Sequence, residues 1–184
     1  MKILCIGDSL TEGYGINHDV SWPTLLGAKL SVPVFNEGIS GDTTAGILAR
    51  FSSACQRHLP THTIIMGGTN DIDFQIDPKH IIANIKAMTR QARFSGIEYF
   101  IGIPMPYRPH VQDGYSSAFN SANEFANNLD EFRASLIHFC DHDETRFIDF
   151  SEELTTDHFL FDGIHPNEEG NRLMMETAYR ALTG

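Results

Sequence analysis

Four short segments of the chain combine glycine with side chains that can carry out acyl-transfer chemistry, namely residues 7–15, 38–42, 67–71 and 162–166. The first segment contains Ser9, which can act as a nucleophile only when a neighbouring base removes its proton. His165 in the last segment is the natural base. Asp162, three residues earlier, is spaced to reach the imidazole Nδ1 while Nε2 faces Ser9. Acyl transfer requires these three parts, so the spacing predicts a Ser9–His165–Asp162 catalytic triad.

The same segments supply donors for the negative charge that develops on a carbonyl oxygen during acyl transfer. Hydrogen-bond donors that already point at this oxyanion stabilise it. The backbone N–H groups of Ser9 and Gly41 and the side-chain amide of Asn70 are the candidates. A side chain at position 41 would occupy the space of the oxyanion, so glycine suits this place. The sequence therefore predicts an oxyanion hole formed by Ser9, Gly41 and Asn70.

Strands and helices alternate along the chain in an order that would bring these segments together. The apolar run 3–6, ended by Gly7, indicates a buried strand that delivers Ser9 to its carboxyl end. Further strands are predicted at residues 32–35, 62–66, 99–103 and 146–150. Helices are predicted at residues 21–30, 43–59, 119–139 and 167–182, with another that begins at Asp77.

This alternation favours a central five-stranded parallel sheet with helices on both faces. In such an open α/β sheet, ligands bind outside the carboxyl ends of the strands. We therefore expect the four glycine-containing segments to converge on one edge of the sheet. No internal repeat or linker composition divides the chain, and a single domain over residues 1–184 is expected.

The composition excludes several classes of partner. The chain has 184 residues, 41% of them apolar and 20% charged, as is typical of globular proteins, and its formal net charge is -11. This charge disfavours nucleic acid and anionic membrane surfaces, and no apolar stretch is long enough to span a bilayer. We expect no nucleic-acid partner and no stable membrane insertion, whereas a small neutral or ester substrate would be unaffected by the charge.

The amino-terminal residues and the cysteines predict a cytoplasmic location. Met1-Lys2 leads directly into the first predicted strand, which leaves no room for a signal peptide before the fold begins. The three cysteines have no motif spacing and lie among apolar residues, which indicates reduced thiols in the core.

The four segments resemble sequence blocks of the SGNH (GDSL) hydrolase family, in the family's order. The matching residues are Gly7-Asp8-Ser9-Leu10, Gly41 in Ser40-Gly41-Asp42-Thr43, Asn70 in Gly68-Thr69-Asn70-Asp71, and Asp162-Gly163-Ile164-His165-Pro166. Each block alone has low specificity, but four in order are a strong signal. The extended first block, which continues to Gly15, is most similar to the arylesterase and lysophospholipase-like thioesterase branch.

The resemblance implies a three-layer α/β/α flavodoxin-like fold that hydrolyses esters or thioesters without a metal or other cofactor. By this resemblance Ser9 is the nucleophile, His165 the base and Asp162 the residue that orients it. Gly41 and Asn70 would be oxyanion donors beside the Ser9 N–H. The proline- and glycine-containing loop 104–117 matches none of these blocks and is the part expected to set the choice of substrate. Its aromatic and histidine residues either line the pocket or belong to an ordinary surface loop: Tyr107, His110, Tyr115 and nearby Phe119.

Three other readings use the same residues. An O-acyltransferase would keep the triad and pass the acyl group to an alcohol instead of water. A metal-assisted phosphoesterase would instead use ligands that suit a hard or borderline ion: Asp8, Asn70, Asp71 and His165. A binding module would keep the pocket without turnover. Product analysis, chelation and covalent labelling of Ser9 distinguish these three from hydrolysis.

Overall fold

The computed structural model describes residues 1–109, 117 and 119–184, and a five-stranded sheet runs through its centre. The strands are β1 (Ile3–Gly7), β2 (Val34–Gly38), β3 (His62–Met66), β4 (Glu98–Ile103) and β5 (Phe147–Asp149). Neighbouring strands pair in parallel in the order β2-β1-β3-β4-β5. This is the flavodoxin-like order, in which the chain changes direction between β1 and β3 and leaves a crevice at their carboxyl ends.

Seven α-helices accompany the sheet within the described residues. They are α1 (Ser9–Glu12), α2 (Trp22–Leu30), α3 (Thr44–His58), α4 (Thr69–Asp73), α5 (Pro78–Phe94), α6 (Ala122–His142) and α7 (Glu168–Thr183). Two short 3-10 helices occupy His18–Val20 and Thr156–His158.

The helices cover both faces of the sheet and form two separate apolar cores. Leu4 and Ile6 of β1 belong to the core under α3, α5 and α6. Ile3 and Cys5, which point to the opposite face, belong to the core under α2 and α7. Because successive side chains of a strand alternate between faces, one apolar strand can support both layers. The predicted three-layer α/β/α architecture is confirmed.

Local sequence signals explain where the long helices begin. The carboxylate of Asp77 accepts a hydrogen bond from the Lys79 N–H at 2.8 Å, and Pro78 occupies the first turn of α5. The apolar stripe of this helix is fully buried, as expected for residues three or four positions apart: Ile81, Ile85, Met88 and Ala92. Burial of each large aliphatic side chain contributes about 1.5–3 kcal/mol to folding.

Several predicted boundaries were wrong. Strand β2 begins at Val34, two residues later than expected, and extends to Gly38, where it pairs with Gly7. Helix α6 begins at Ala122 rather than near residue 119, because Ser121 and Glu124 form a reciprocal capping box. Ser21 precedes α2 as expected, but its side chain makes no capping bond to the helix.

Helices α1 and α4 were not predicted. Each begins two or three residues after the end of a strand and has only four or five residues, which is too short to show a helical repeat of apolar residues.

Among the residues that the structure describes, no helix has the length and apolar content required to cross a membrane. The cytoplasmic location and the single domain over residues 1–184 stay predictions.

Candidate active site

Ser9 lies at the carboxyl end of the central strand β1, as the first residue of α1. Asp8 caps this helix, because its Oδ1 accepts the Leu10 N–H at 3.0 Å. Gly13 ends the helix in the left-handed conformation, with φ 90°, which glycine adopts without steric cost. The single turn of helix fixes the Ser9 hydroxyl at the edge of the sheet, and the residue as a whole is 7% exposed.

Ser9, His165 and Asp162 form a continuous chain of hydrogen bonds. The Ser9 Oγ lies 2.8 Å from His165 Nε2, and His165 Nδ1 lies 2.7 Å from Asp162 Oδ2. The other carboxylate oxygen, Oδ1, accepts the backbone N–H groups of Ile164 at 2.9 Å and of His165 at 3.0 Å. The structure therefore brings together the three residues that the sequence predicted as a triad.

Asp162 remains ionised because its hydrogen bonds outweigh its burial. Burial raises the pKa of a carboxyl group, but the His165 side chain and N–H and the Ile164 N–H all favour the charged form. Together they hold the pKa of Asp162 below its usual value. An ionised carboxylate at this place keeps the proton of the imidazole on Nδ1, so that Nε2 can accept a proton from Ser9.

The loop that carries His165 is held by backbone contacts and by an aromatic ring. Gly163 has φ 69°, and its carbonyl accepts the Arg108 N–H at 2.7 Å. A Cβ at position 163 would collide with Pro109, so this position requires glycine. The Tyr14 ring packs over the imidazole with 4.5 Å between ring centroids. The first segment thus contributes both Ser9 and a ring that covers His165.

Asn171 ties this loop to the first half of the chain. Its Nδ2 donates to the carbonyl of Pro166 at 3.0 Å, and its Oδ1 accepts the Trp22 N–H at 3.0 Å. Asn171 is only 2% exposed. The sequence analysis did not identify this residue. One sequence signal could have identified it. Asn171 precedes Met174 by three positions and Ala178 by seven, which places a polar residue on the apolar face of α7.

Gly41 occupies a tight turn, residues 39–42, immediately after β2. The Asp42 N–H donates to the carbonyl of Ile39 at 3.1 Å, and Gly41 has φ 80°. This is the conformation that a type II turn requires at its third residue and that favours glycine. Asn70 donates from Nδ2 to the carbonyl of Asp42 at 3.0 Å, which places its amide beside the turn.

Three donors at this edge remain available for a ligand. Within the described part of the chain, the N–H groups of Ser9 and Gly41 donate to no acceptor. Asn70 uses one of its two amide hydrogens for the bond to Asp42. A Cβ at position 41 would meet no protein atom within 4 Å, so the space beside the Gly41 turn is open.

The residues considered as metal ligands have other partners. The two carboxylate oxygens of Asp71 accept the Thr44 N–H at 2.8 Å and the Thr44 hydroxyl at 2.6 Å. Asp8 is fully buried, and burial raises its pKa to about 7 against the opposing effects of the Leu10 N–H and His165. The described ranges contain no group of three histidine, cysteine or carboxylate side chains placed to hold a metal ion.

The expected pocket residues after β4 differ in their surroundings. Tyr107 is buried and packs edge-to-face on Phe125, with 5.7 Å between ring centroids. Phe119 is exposed and packs edge-to-face on Phe74 at 5.6 Å. His110 and Tyr115 lie outside the described residues.

A flavodoxin-like sheet with serine, histidine and aspartate in contact at its carboxyl edge has the architecture of an SGNH-type α/β hydrolase. Residues 5–173 match the model of the GDSL-like lipase/acylhydrolase family, and the chain belongs to this family. The resemblance seen in the sequence is confirmed. The protein is accordingly a carboxylic ester hydrolase of the GDSL type.

Two named relatives and one solved structure match almost the whole chain. An arylesterase of Vibrio mimicus is 30% identical over an alignment of 192 positions, gaps included. The alignment covers 98% of this chain and 88% of the relative. The thioesterase 1/protease 1/lysophospholipase L1 of Escherichia coli is 27% identical over 187 residues, covering 98% of this chain and 82% of the relative. The crystal structure of a lipolytic G-D-S-L family protein from Veillonella parvula is 25% identical, with a TM-score of 0.80 over 98% of this chain and 97% of the other.

Proposed function

We propose that the protein hydrolyses small acyl esters or thioesters through an acyl-enzyme intermediate on Ser9. The observation that carries this proposal is the pair of contacts from Ser9 Oγ to His165 Nε2, 2.8 Å, and from His165 Nδ1 to Asp162, 2.7 Å. These distances are within reach for proton transfer from the hydroxyl to the imidazole.

The reaction has two halves that use the same base. Ser9 Oγ attacks the carbonyl carbon while its proton passes to His165 Nε2, and the ionised Asp162 stabilises the imidazolium. The tetrahedral intermediate collapses, and His165 returns the proton to the leaving alcohol or thiol. A water molecule then loses a proton to Nε2 and attacks the acyl-enzyme. The acid leaves, and Ser9 regains its hydrogen.

The oxyanion of each tetrahedral intermediate would be stabilised by the Ser9 N–H, the Gly41 N–H and the second amide hydrogen of Asn70. Two features support this assignment. The two backbone N–H groups have no acceptor among the described residues, and Asn70 is fixed beside the Gly41 turn by its bond to Asp42. Donors held in place before the reaction need no reorganisation as the charge develops.

The relatives support aryl esters and acyl thioesters as substrates to test. One relative is named an arylesterase, and the other is named both a thioesterase and a lysophospholipase. The same acyl-enzyme chemistry can hydrolyse all three types of substrate. Neither leaving group requires a metal, and a neutral small ester is not repelled by the net charge of -11.

The test is the Ser9→Ala variant, assayed on p-nitrophenyl acetate and on a short acyl thioester. We expect kcat to fall by up to about 10⁶-fold, as when a serine hydrolase loses its nucleophile. Ser135→Ala is the matched control, because Ser135 is an exposed serine on α6 whose hydroxyl bonds only within its own helix. A fluorophosphonate should label Ser9 in the wild-type protein and leave Ser9→Ala unlabelled.

Three results would contradict the proposal. Ser9→Ala could retain wild-type turnover, or a chelator could abolish activity that a divalent metal restores. A folded wild-type protein could also fail to react with the fluorophosphonate. Acyl products formed on an added alcohol in place of the free acid would instead indicate an O-acyltransferase with the same triad.

A further inference from the structure

The Gly41 turn, residues 39–42, has little packing of its own to hold it in place. Ile39 is about half exposed, and a Cβ at position 41 would touch nothing within 4 Å. An oxyanion donor nevertheless has to lie about 3 Å from the developing charge to be effective. Two charged side chains that the reaction itself does not use, Glu12 and Arg50, bind the turn on either side of Gly41.

Glu12 connects the turn to the helix that carries the nucleophile. It is the last residue of α1, and its Oε2 accepts the Ser40 N–H at 2.8 Å and also the Ser40 hydroxyl. The backbones of the two segments are in direct contact, because a Cβ on Gly38 would collide with the backbone nitrogen of Glu12. The residue before Gly41 is therefore fixed relative to Ser9.

Arg50 on α3 holds the residue after Gly41. Its Nε donates to the Asp42 carboxylate at 2.8 Å, and its two terminal nitrogens donate to the carbonyls of Glu37 and Gly7, each at 2.7 Å. These three acceptors belong to the turn and to the ends of β2 and β1. The planar guanidinium can reach all three at once, which the single ammonium of lysine cannot do in the same geometry.

We propose that Glu12 and Arg50 are positioning residues that set the place of the Gly41 N–H relative to Ser9. Charge-assisted hydrogen bonds from both sides replace the packing that the turn lacks. This proposal rests on the proposed function, in which the Gly41 N–H is an oxyanion donor. It predicts that loss of either side chain weakens the transition state more than it weakens substrate binding.

The variants Glu12→Ala and Arg50→Lys test the proposal on p-nitrophenyl acetate. We expect kcat to fall about 10- to 100-fold with KM changed less than about twofold, because a displacement of about 1 Å near the reacting atoms can cost about 100-fold. Glu12→Gln keeps an acceptor of the same size and should recover most of the rate lost in Glu12→Ala. Far-UV circular dichroism and melting temperature confirm that each variant is folded, and if Glu12→Ala fails to fold, Arg50→Lys carries the test.

The chain offers two matched controls. The carboxylate of Glu124 accepts the N–H and hydroxyl of Ser121, the same pair of bonds that Glu12 makes with Ser40, but at the start of α6. Arg57 lies about two turns beyond Arg50 on α3 and pairs with the side chain of Glu37 at 2.8 Å without reaching the turn. Glu124→Ala and Arg57→Lys should keep wild-type kcat and KM.

The rate of fluorophosphonate labelling at Ser9 separates this proposal from the proposed function. The phosphoryl oxygen of the reagent takes the place of the oxyanion, so labelling should slow in parallel with kcat in Glu12→Ala and Arg50→Lys. Wild-type kcat and labelling rates in both variants, or a rise of KM at constant kcat, would overturn the positioning role. Failure of the wild-type protein to label at Ser9 would overturn the proposed function itself.

Discussion

Replacement of the buried Asp8 by asparagine should change how the stability of the protein depends on pH. Asp8 is completely buried, and only its Oδ1 has a partner among the described residues, the N–H of Leu10 at 3.0 Å. Burial raises the pKa of this carboxyl group from its usual 3.8 to about 7, although the Leu10 N–H and His165 oppose the change. Asparagine keeps the oxygen that accepts the Leu10 bond but never becomes charged.

The size of this change in stability follows from the difference between the pKa of Asp8 in the unfolded chain, 3.8, and in the folded protein, about 7. Between pH 3.8 and about 7, folded Asp8 retains a proton that the unfolded chain has released. The unfolded state binds fewer protons there, so the free energy of unfolding falls as the pH rises through this window. The interval is about three pH units at about 1.36 kcal/mol each, which gives about 4 kcal/mol. Asp8→Asn should not show this loss of stability, because asparagine does not titrate.

Urea unfolding of both proteins at about pH 4 and about pH 8 measures the effect. The free energy of unfolding of Asp8→Asn, relative to that of the wild type, should be about 4 kcal/mol higher at pH 8 than at pH 4. Any constant cost of burying the amide N–H groups cancels in this difference. Asp19→Asn, at an exposed aspartate, corrects for the removal of one negative charge. Equal stability differences between Asp8→Asn and wild type at both pH values would refute the reasoning.

Three further variants test contacts in and around the site. Asp162→Asn should lower kcat about 10⁴-fold, because an amide donor facing Nδ1 leaves the proton of the His165 imidazole on Nε2. A fall of less than about tenfold in steady-state kinetics would contradict this. Asn70→Ala should lower kcat about 10²- to 10³-fold with little change in KM, and a purely KM effect would exclude an oxyanion role. Asn171→Leu should lower the free energy of unfolding in urea by about 1–3 kcal/mol, because the Trp22 N–H loses a buried acceptor. Unchanged stability would show that the Asn171 bonds contribute nothing.

The features that the sequence predicted well depend on local signals. Gly7 follows an apolar run, and the structure has a strand that ends there, so the placement of Ser9 at the edge of the sheet could be foreseen. Asp162 and His165 are three residues apart, and the structure places their side chains 2.7 Å apart within the same turn. Alternating strands and helices predicted the layers of the fold, because each amphipathic element has to bury its apolar face.

The features that were missed depend on contacts between distant parts of the chain. Arg50 reaches Gly7 across 43 positions, and Asn171 reaches Trp22 across 149. Nothing in the residues near Arg50 or Asn171 shows which backbone groups they will meet after folding. The same applies to β2, whose start at Val34 is set by its pairing with β1 rather than by its own apolar residues.

The bond between Ser9 and His165 joins residues 156 positions apart, and Asn171 fastens the loop of the base to the start of α2. All five strands lie before Asp162 and His165 in the sequence, so a growing polypeptide holds the residues of the whole sheet while it still lacks this imidazole. Under the proposed mechanism, turnover requires the His165 loop to dock beside Ser9, so the recovery of esterase activity during refolding should report this long-range contact. Such closure across long sequence separations is slow compared with the formation of local helices. Under the proposed mechanism, forms of the chain that end before residue 162 would lack Asp162 and His165 and therefore esterase activity.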